Sequence, residues 1–273
     1  MIDGNMANTS QPRRLLAVLA HPDDECFGTG GALALYAAQG VSVSLICATR
    51  GEVGEISDPA LATPETLGQV REQELRESCR VLGINEPVLL DYRDSGMAGT
   101  ADNNHPASLN QASPDEVIGK LSQLMGQLKP QVVVTFEPNG GYGHPDHIAI
   151  YRHAVAAFQS LDKGLGYPKL YYVAIPRSRI KMMVAHAPPD SPFHQRDPET
   201  MGTPDEDITT EIDVSAFLDI KLKSMACHRT QMQPDGPFSR LSPEMTARIM
   251  GTEHFIQAFP PFQGERPQRG LFP

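Results

Sequence analysis

At 273 residues, with 40% hydrophobic and 21% charged side chains, the chain is long enough to bury a full core and has the make-up of a globular protein. Its formal net charge of −10, with no basic cluster, argues against nucleic acid or an anionic membrane surface as partner, since both demand Lys/Arg patches. No apolar run approaches the roughly 20 residues that cross a bilayer, so a membrane protein is not expected and a small molecule is the expected partner.

The opening stretch MIDGNMANTSQPRR lacks an apolar h-region with a cleavage site. Residues 1–13 therefore read as a polar leader rather than a secretory signal, and a cytoplasmic location is expected. Arg14 to Ala20 is a short continuous apolar run that predicts a buried strand, and Val41 to Cys47 predicts a second, rich in β-branched residues. Between them Gly28 to Gly40 reads as a small-residue helix closed by glycine, which completes a βαβ unit. Glu65 to Leu82 predicts a helix closed by Gly83, and Pro87 to Leu90 a strand. Ser113 and Pro114 open another helix, as N-cap and first helical position, that runs to about Leu128 before the strand Gln131 to Phe136. Gly143 or His144 caps a helix over Pro145 to Ser160, and Leu170 to Ala174 follows as a strand.

Helices alternating with wholly apolar strands predict an α/β fold: a Rossmann-like, mostly parallel sheet with helices on both faces. After Ile175 the texture changes to Pro/Asp-rich loops at Ala187 to Asp207, an extended Ile208 to Val214, a helix near Ser215 to His228 and a Pro-rich end. No clean linker divides the chain. Residues 14–273 read as one domain, with about 14–175 as core and 176–273 as an extension that caps or edges it. Cys26, Cys47, Cys79 and Cys227 are isolated, without a CxxC pair, so neither a disulfide framework nor a cysteine zinc site is expected.

In an open parallel sheet, ligands sit beyond the carboxyl ends of the strands. The polar clusters fall at those ends: HPDDE after the first strand, TRGEVGE (Thr49 to Glu55) after the second, DYRDSGM (Asp91 to Met97) after the third, and EPNGGYGHPDH (Glu137 to His147) after the fourth. His21 and Asp24 are three apart on one turn, as are His144 and His147 at a helix start. Two histidines and a carboxylate, with water in the fourth position, is the usual make-up of a catalytic zinc site, whereas structural sites tend to use four protein ligands. An open, reactive metal is expected.

The pair AHPDDE and GHPDH, in this order and separated by alternating α/β structure, resembles the PIG-L/LmbE family of zinc-dependent N-acetylglucosamine deacetylases. The stretches TRGEVGE, VREQEL (Val70 to Leu75), YRDSGMAG (Tyr92 to Gly99) and HRTQ (His228 to Gln231) resemble the branch that makes or processes mycothiol- and bacillithiol-type thiols. The resemblance extends over most of residues 14 to 260. It implies His21, Asp24 and His147 as ligands of one Zn²⁺ per chain and Asp23 as general base. His144 would stabilise the oxyanion or act as an acid, Arg71 and Asp94 would contact the sugar, and Tyr142 would lie beside the scissile amide. Because family members are often oligomers, a homo-oligomer is also implied.

The chemistry accounts for these residue types. Zinc lowers the pKa of water and polarises a carbonyl, a carboxylate accepts the proton, and an imidazole meets charge developing on the amide oxygen. Plainer readings stand beside it. Asp23 and Asp24 suit an N-cap cluster, and His144 a simple N-cap. Arg71 suits a solvated helix arginine, Asp94 an Asx-turn and Tyr142 packing. Glu25 suits loop support or capping. Gly28-Thr-Gly-Gly lacks the G-x-G-x-x-G spacing of a dinucleotide site. The expected activity is removal of the N-acetyl group from an N-acetylglucosaminyl conjugate of the GlcNAc-malate or GlcNAc-inositol type. The alternatives are a thiol S-conjugate amidase, a chito-oligosaccharide deacetylase or, in another class, a non-catalytic zinc- or sugar-binding module. Gly96 to Ser113 and Ala187 to Asp207 are long enough to shape a lid.

Overall fold

A computed structural model describes residues 12–161, 168–186, 197–232 and 241–272. The polar leader expected over residues 1–13 falls outside these except for Pro12 and Arg13.

Strand β1 (Arg14–Leu19) shows why the first apolar run is continuous. Leu15, Ala17 and Leu19 enter a core on one face of the sheet, and Leu16, Val18 and Ala20 enter a second core on the other. The turn α1 (Asp24–Phe27) and helix α2 (Gly30–Ala38) follow, the latter buried along Gly30 to Ala34. The expected helix from Gly28 is thus broken at Thr29, where the backbone leaves the helical region at φ −137°. Strand β2 (Ser42–Thr49), helix α3 (Leu67–Leu82) and strand β3 (Val88–Tyr92) come next. Gly83 ends α3 at φ 72°, a left-handed conformation that glycine adopts without steric cost. β3 takes in Asp91 and Tyr92, which the sequence reading had given to the loop, with Asp91 at φ 63°.

Helix α4 (Pro114–Leu128) begins at Ser113 and Pro114 as expected, although the Ser113 side chain makes no capping bond. Strand β4 (Val132–Thr135), the single turn α5 (Gly140–Gly143), helix α6 (Pro145–Gln159) and strand β5 (Lys169–Ala174) complete the core. β1 to β5 are parallel, and α4 and α6 cover one face while α2 and α3 cover the other.

The extension holds more regular structure than its Pro-rich composition suggests. It contains helix α7 (Arg177–His186), strand β6 (Thr210–Asp213), helix α8 (Leu218–Cys227), helix α9 (Pro243–Met250) and strand β7 (Thr252–Phe259). Of these, α7, α9 and β7 were not foreseen. β7 runs antiparallel to β5 and β6, so the extension forms an edge of the same seven-stranded sheet, in the order β3-β2-β1-β4-β5-β7-β6. The fold is α/β. The chain winds outward from β1 to β3, then returns to β4 on the other side of β1. That reversal opens a crevice beyond the ends of β1 and β4, where ligands bind in such sheets.

Candidate metal centre and active site

The loop after β1 is pinned by its own carboxylate. Asp24 Oδ2 accepts the backbone N–H of His21 at 2.7 Å and of Ala20 at 3.2 Å, which curls His21 back over the strand end. Across the crevice, Pro145 at the first turn of α6 and His144 before it set the direction in which His147 projects. Nδ1 of His21 and Nε2 of His147 consequently lie 3.1 Å apart. Asp24 is 3.7 Å from the first through Oδ2 and 3.4 Å from the second through Oδ1.

The remaining ring nitrogens decide the tautomers. Nε2 of His21 faces Asp146 Oδ2 at 3.2 Å and Asp94 Oδ1 at 3.5 Å, and Nδ1 of His147 donates to the Gly140 carbonyl at 3.1 Å. Without an ion, a protonated His21 donates from Nδ1 to Nε2 of His147; with His21 neutral and both N–H groups turned outward, the two nitrogens present lone pairs beside a carboxylate. In that neutral state the lone pairs repel, and a cation between them takes the place of the proton. Zn–N bonds of about 2.0–2.1 Å put neighbouring donors of a tetrahedron roughly 3.3–3.4 Å apart, the scale of the three separations here. His21, His147 and Asp24 therefore fit a zinc ion, with carboxylates behind His21 that orient it and raise its basicity.

The electrostatics favour positive charge at the same point. Burial pushes the His21 ring down, but Asp146, Asp94 and Asp24 outweigh it and hold the ring well above its usual pKa. Burial and the facing His21 depress His147 to about 3 and His144 to about 4. The His144 ring nitrogen Nδ1 accepts the Asp146 backbone N–H at 3.2 Å. Its plain reading as an N-cap is thus correct as far as it goes, and the cap leaves Nε2 to carry the ring proton.

Asp23 sits at φ 117°, ψ −25°, a conformation that costs an L-residue of order 1–3 kcal/mol. As the N-cap of α1 it makes no side-chain capping bond. Its Oδ2 instead meets Arg71 Nη2 at 3.1 Å, and 19% of its side chain stays exposed to the crevice. Burial, opposed by Arg71, raises its carboxyl to about 6. Arg71 is not a solvated helix residue. It is 3% exposed, and it also donates to the Gly51 carbonyl through Nη1 at 2.9 Å and to the Pro22 carbonyl through Nη2 at 2.6 Å. Both glycines in TRGEVGE have their reason here, because a Cβ on Gly51 would lie 2.1 Å, and one on Gly54 2.5 Å, from the Arg71 guanidinium.

Asp94 combines two of the readings made for it. Oδ1 accepts the Gly96 N–H at 2.8 Å, an Asx-type bond, and also faces His21. Burial pushes its carboxyl up, but the His21 ring overcomes this and holds it well below the usual range. Tyr142 is 53% exposed at the rim, with its ring centroid 5.1 Å from that of His147, so it does not serve as core packing. All eight singled-out side chains border the one crevice. Of the two lid segments, Gly96 to Ser113 folds beside it, tied by Asn103 Nδ2 to the Ser95 carbonyl at 2.5 Å, while 187–196 lies outside the described residues.

Asp146 was not singled out from sequence. It is fully buried, accepts the Ser95 N–H at 2.9 Å through Oδ2, and has no hydrogen-bond partner for Oδ1 among the described residues. The signal was the aspartate between the two histidines of HPDH. One turn of α6 carries His147 toward Nδ1 of His21 and Asp146 toward Nε2 of the same ring, the place from which a carboxylate supports a metal-binding imidazole.

The family model described as PIG-L, GlcNAc-PI de-N-acetylase, matches residues 16–158. A 1D-myo-inositol 2-acetamido-2-deoxy-alpha-D-glucopyranoside deacetylase from Acidothermus cellulolyticus is 43% identical, the match covering 89% of this chain and 88% of that protein. A protein of the same name from Thermobifida fusca is 39% identical over 94% of this chain and 96% of that one. Among solved structures, an N,N'-diacetylchitobiose deacetylase from Pyrococcus horikoshii has the same fold, with a TM-score of 0.63 at 21% identity over 90% of this chain and 84% of that chain.

Proposed function

The chain belongs to the PIG-L family of GlcNAc-PI de-N-acetylases and is an N-deacetylase, and from that premise we propose that it hydrolyses the acetamide of a GlcNAc-inositol conjugate with one zinc ion per chain. The observation that carries the reading is the convergence of His21 Nδ1 and His147 Nε2, 3.1 Å apart, on the Asp24 carboxylate, with Asp23 next to it in the chain. The names of the two relatives above support the inositol conjugate over the malate one.

When bound, zinc supplies Lewis acidity, which acidifies water and polarises an amide carbonyl. His21, Asp24 and His147 would hold it. Asp23, with a carboxyl near 6, takes a proton from the attacking water and has it available for the departing amine. The Nε2–H of His144 is the donor that the chain offers to the amide undergoing cleavage. Asp94 and Tyr142 are assigned to the sugar and the rim of the amide pocket. Arg71, also assigned to the sugar, has a second task, gripping Asp23.

The test is a substrate panel with metal analysis. GlcNAc-inositol, GlcNAc-malate, their thiol conjugates and N,N'-diacetylchitobiose are compared by acetate release and kcat/KM, with and without chelator. The highest kcat/KM on GlcNAc-inositol, lost on chelation and restored by zinc, is expected. Cleavage of the thiol conjugate without acetate release would point to the amidase, and activity insensitive to chelation would remove the metal from the reaction.

A further inference from the structure

Residues of three sequence motifs that the proposed mechanism leaves unused meet behind Asp23. Glu25 of HPDDE is fully buried. Its Oε2 accepts the Asp23 backbone N–H at 3.0 Å, and its Oε1 accepts from His228 Nε2 at 2.6 Å and from Ser78 Oγ. His228, the first residue of HRTQ, is likewise buried, and its Nδ1 has no partner among the described residues, so Glu25 alone orients the ring. Two residues on, Thr230 locks HRTQ onto VREQEL, donating to Glu74 through its N–H at 2.9 Å and its hydroxyl at 2.6 Å. Arg71, from the same helix, then holds the carboxylate end of Asp23.

We propose that Glu25 and His228 are positioning residues for the general base: they hold the Asp23 backbone in its left-handed conformation so that Arg71 and the crevice face opposite edges of its carboxylate. The inference rests on the reading of Asp23 as base. At φ 117° the Asp23 N–H needs a fixed acceptor, and Glu25 Oε2 is that acceptor. Glu25 needs a cationic or donor partner to stay ionised in a buried site, and His228 fills that need from the end of α8, 203 residues away in the chain. Without the pair, Asp23 relaxes toward an ordinary backbone conformation and its carboxylate swings away from the attacking water, while His21, Asp24 and His147 keep their own anchors.

The experiment uses zinc-loaded enzyme and GlcNAc-inositol. His228→Ala is expected to lower kcat about 10- to 100-fold, with KM and the zinc content of one ion per chain unchanged. His228→Gln, which retains a donor to Glu25, should recover part of that loss, which a merely structural role does not require. In an Asp23→Asn background, His228→Ala should cost nothing further, because residues that act through one group are not additive. Wild-type kcat in His228→Ala, a rise in KM alone, or a full additional loss in the Asp23→Asn background would overturn the proposal. If His228→Ala fails to fold, Ser78→Ala carries the same test with a smaller expected loss. Asp23→Asn at the wild-type rate would instead overturn the assignment of the base itself, which keeps the two failures distinct.

Discussion

Single hydrogen bonds decide which atoms of this site do chemistry. His21 has two usable nitrogens, and the carboxylates of Asp146 and Asp94 face Nε2, which leaves Nδ1 for the proposed ion. Asp146→Ala should therefore weaken zinc binding about 10- to 100-fold in competition with a chromophoric chelator, although Asp146 never touches the ion. Unchanged affinity would show that Asp94 alone orients the ring. His144 is the contrasting case, since its Nδ1 is spent on the Asp146 backbone and its Nε2–H is free for the proposed contact with substrate. His144→Ala should leave zinc stoichiometry intact and reduce kcat about 10²- to 10³-fold, the effect of losing one preorganised donor; a loss of zinc would make it a ligand instead.

Among elements, the edge added by the extension is fastened to the core by buried charge. Glu253 on β7 accepts the N–H groups of Gly31 and Ala32 at 2.9 and 2.8 Å, where the α2 dipole favours an anion, and pairs with Lys221 of α8 at 2.7 Å. Both side chains of the pair are 2% exposed. Lys221→Met leaves that carboxylate buried without its counter-ion and should cost about 3 kcal/mol in urea unfolding. Addition of Glu253→Gln should return part of it. Gly31 belongs to the same junction, because a Cβ there would fall 2.5–2.9 Å from the side chain of Val214, so this close approach of α2 to the extension needs glycine. The glycines after HPDDE are packing residues, not a phosphate cradle.

For the whole molecule, the site joins the loop after β1 to the start of α6, so an ion held by both must stabilise the fold. At free zinc 100 times its Kd, the expected gain is about 2.7 kcal/mol, and chelation should lower the unfolding temperature by the corresponding amount in calorimetry. A second linkage runs through Glu25 and His228. Burial lowers the His228 ring, but Glu25 outweighs it and raises the pKa above 6.5, so its contribution is complete below 6.5 and is lost as pH rises through the raised value. Burial raises the Glu25 carboxyl, but His228 and Ser78 bring it below 4.5, so its contribution is complete above 4.5 and is lost as pH falls through the lowered value. The destabilisation by His228→Gln, read by urea unfolding across pH, should thus be greatest between about 4.5 and 6.5 and shrink on the alkaline side. A flat difference across pH would mean that the pair is not ionised.

Local rules made much of this legible in advance. The apolar runs that become β1, β2 and β4 need both faces covered wherever they lie, and Gly83, Pro114 and Pro145 start or stop helices through backbone restrictions of their own. The two His-Pro-Asp clusters announced a metal chemistry by residue type and spacing. β7 was hidden because Glu253 and His254 make Thr252 to Phe259 look like a polar tail, and the charge on Glu253 is affordable only against Lys221 and the α2 terminus. Asp146 was hidden because its partner His21 lies 125 residues away, and HRTQ was visible as a motif while its contact with Glu25, 203 residues away, was not. The amino acids alone determine which groups can bind an ion or carry a proton. Which nitrogen of His21 faces inward, how Asp23 is held in a strained backbone, and which carboxylate stands behind each histidine depend on residues far apart in the chain, because tautomer and orientation are set by hydrogen-bond partners that only the folded sheet brings together.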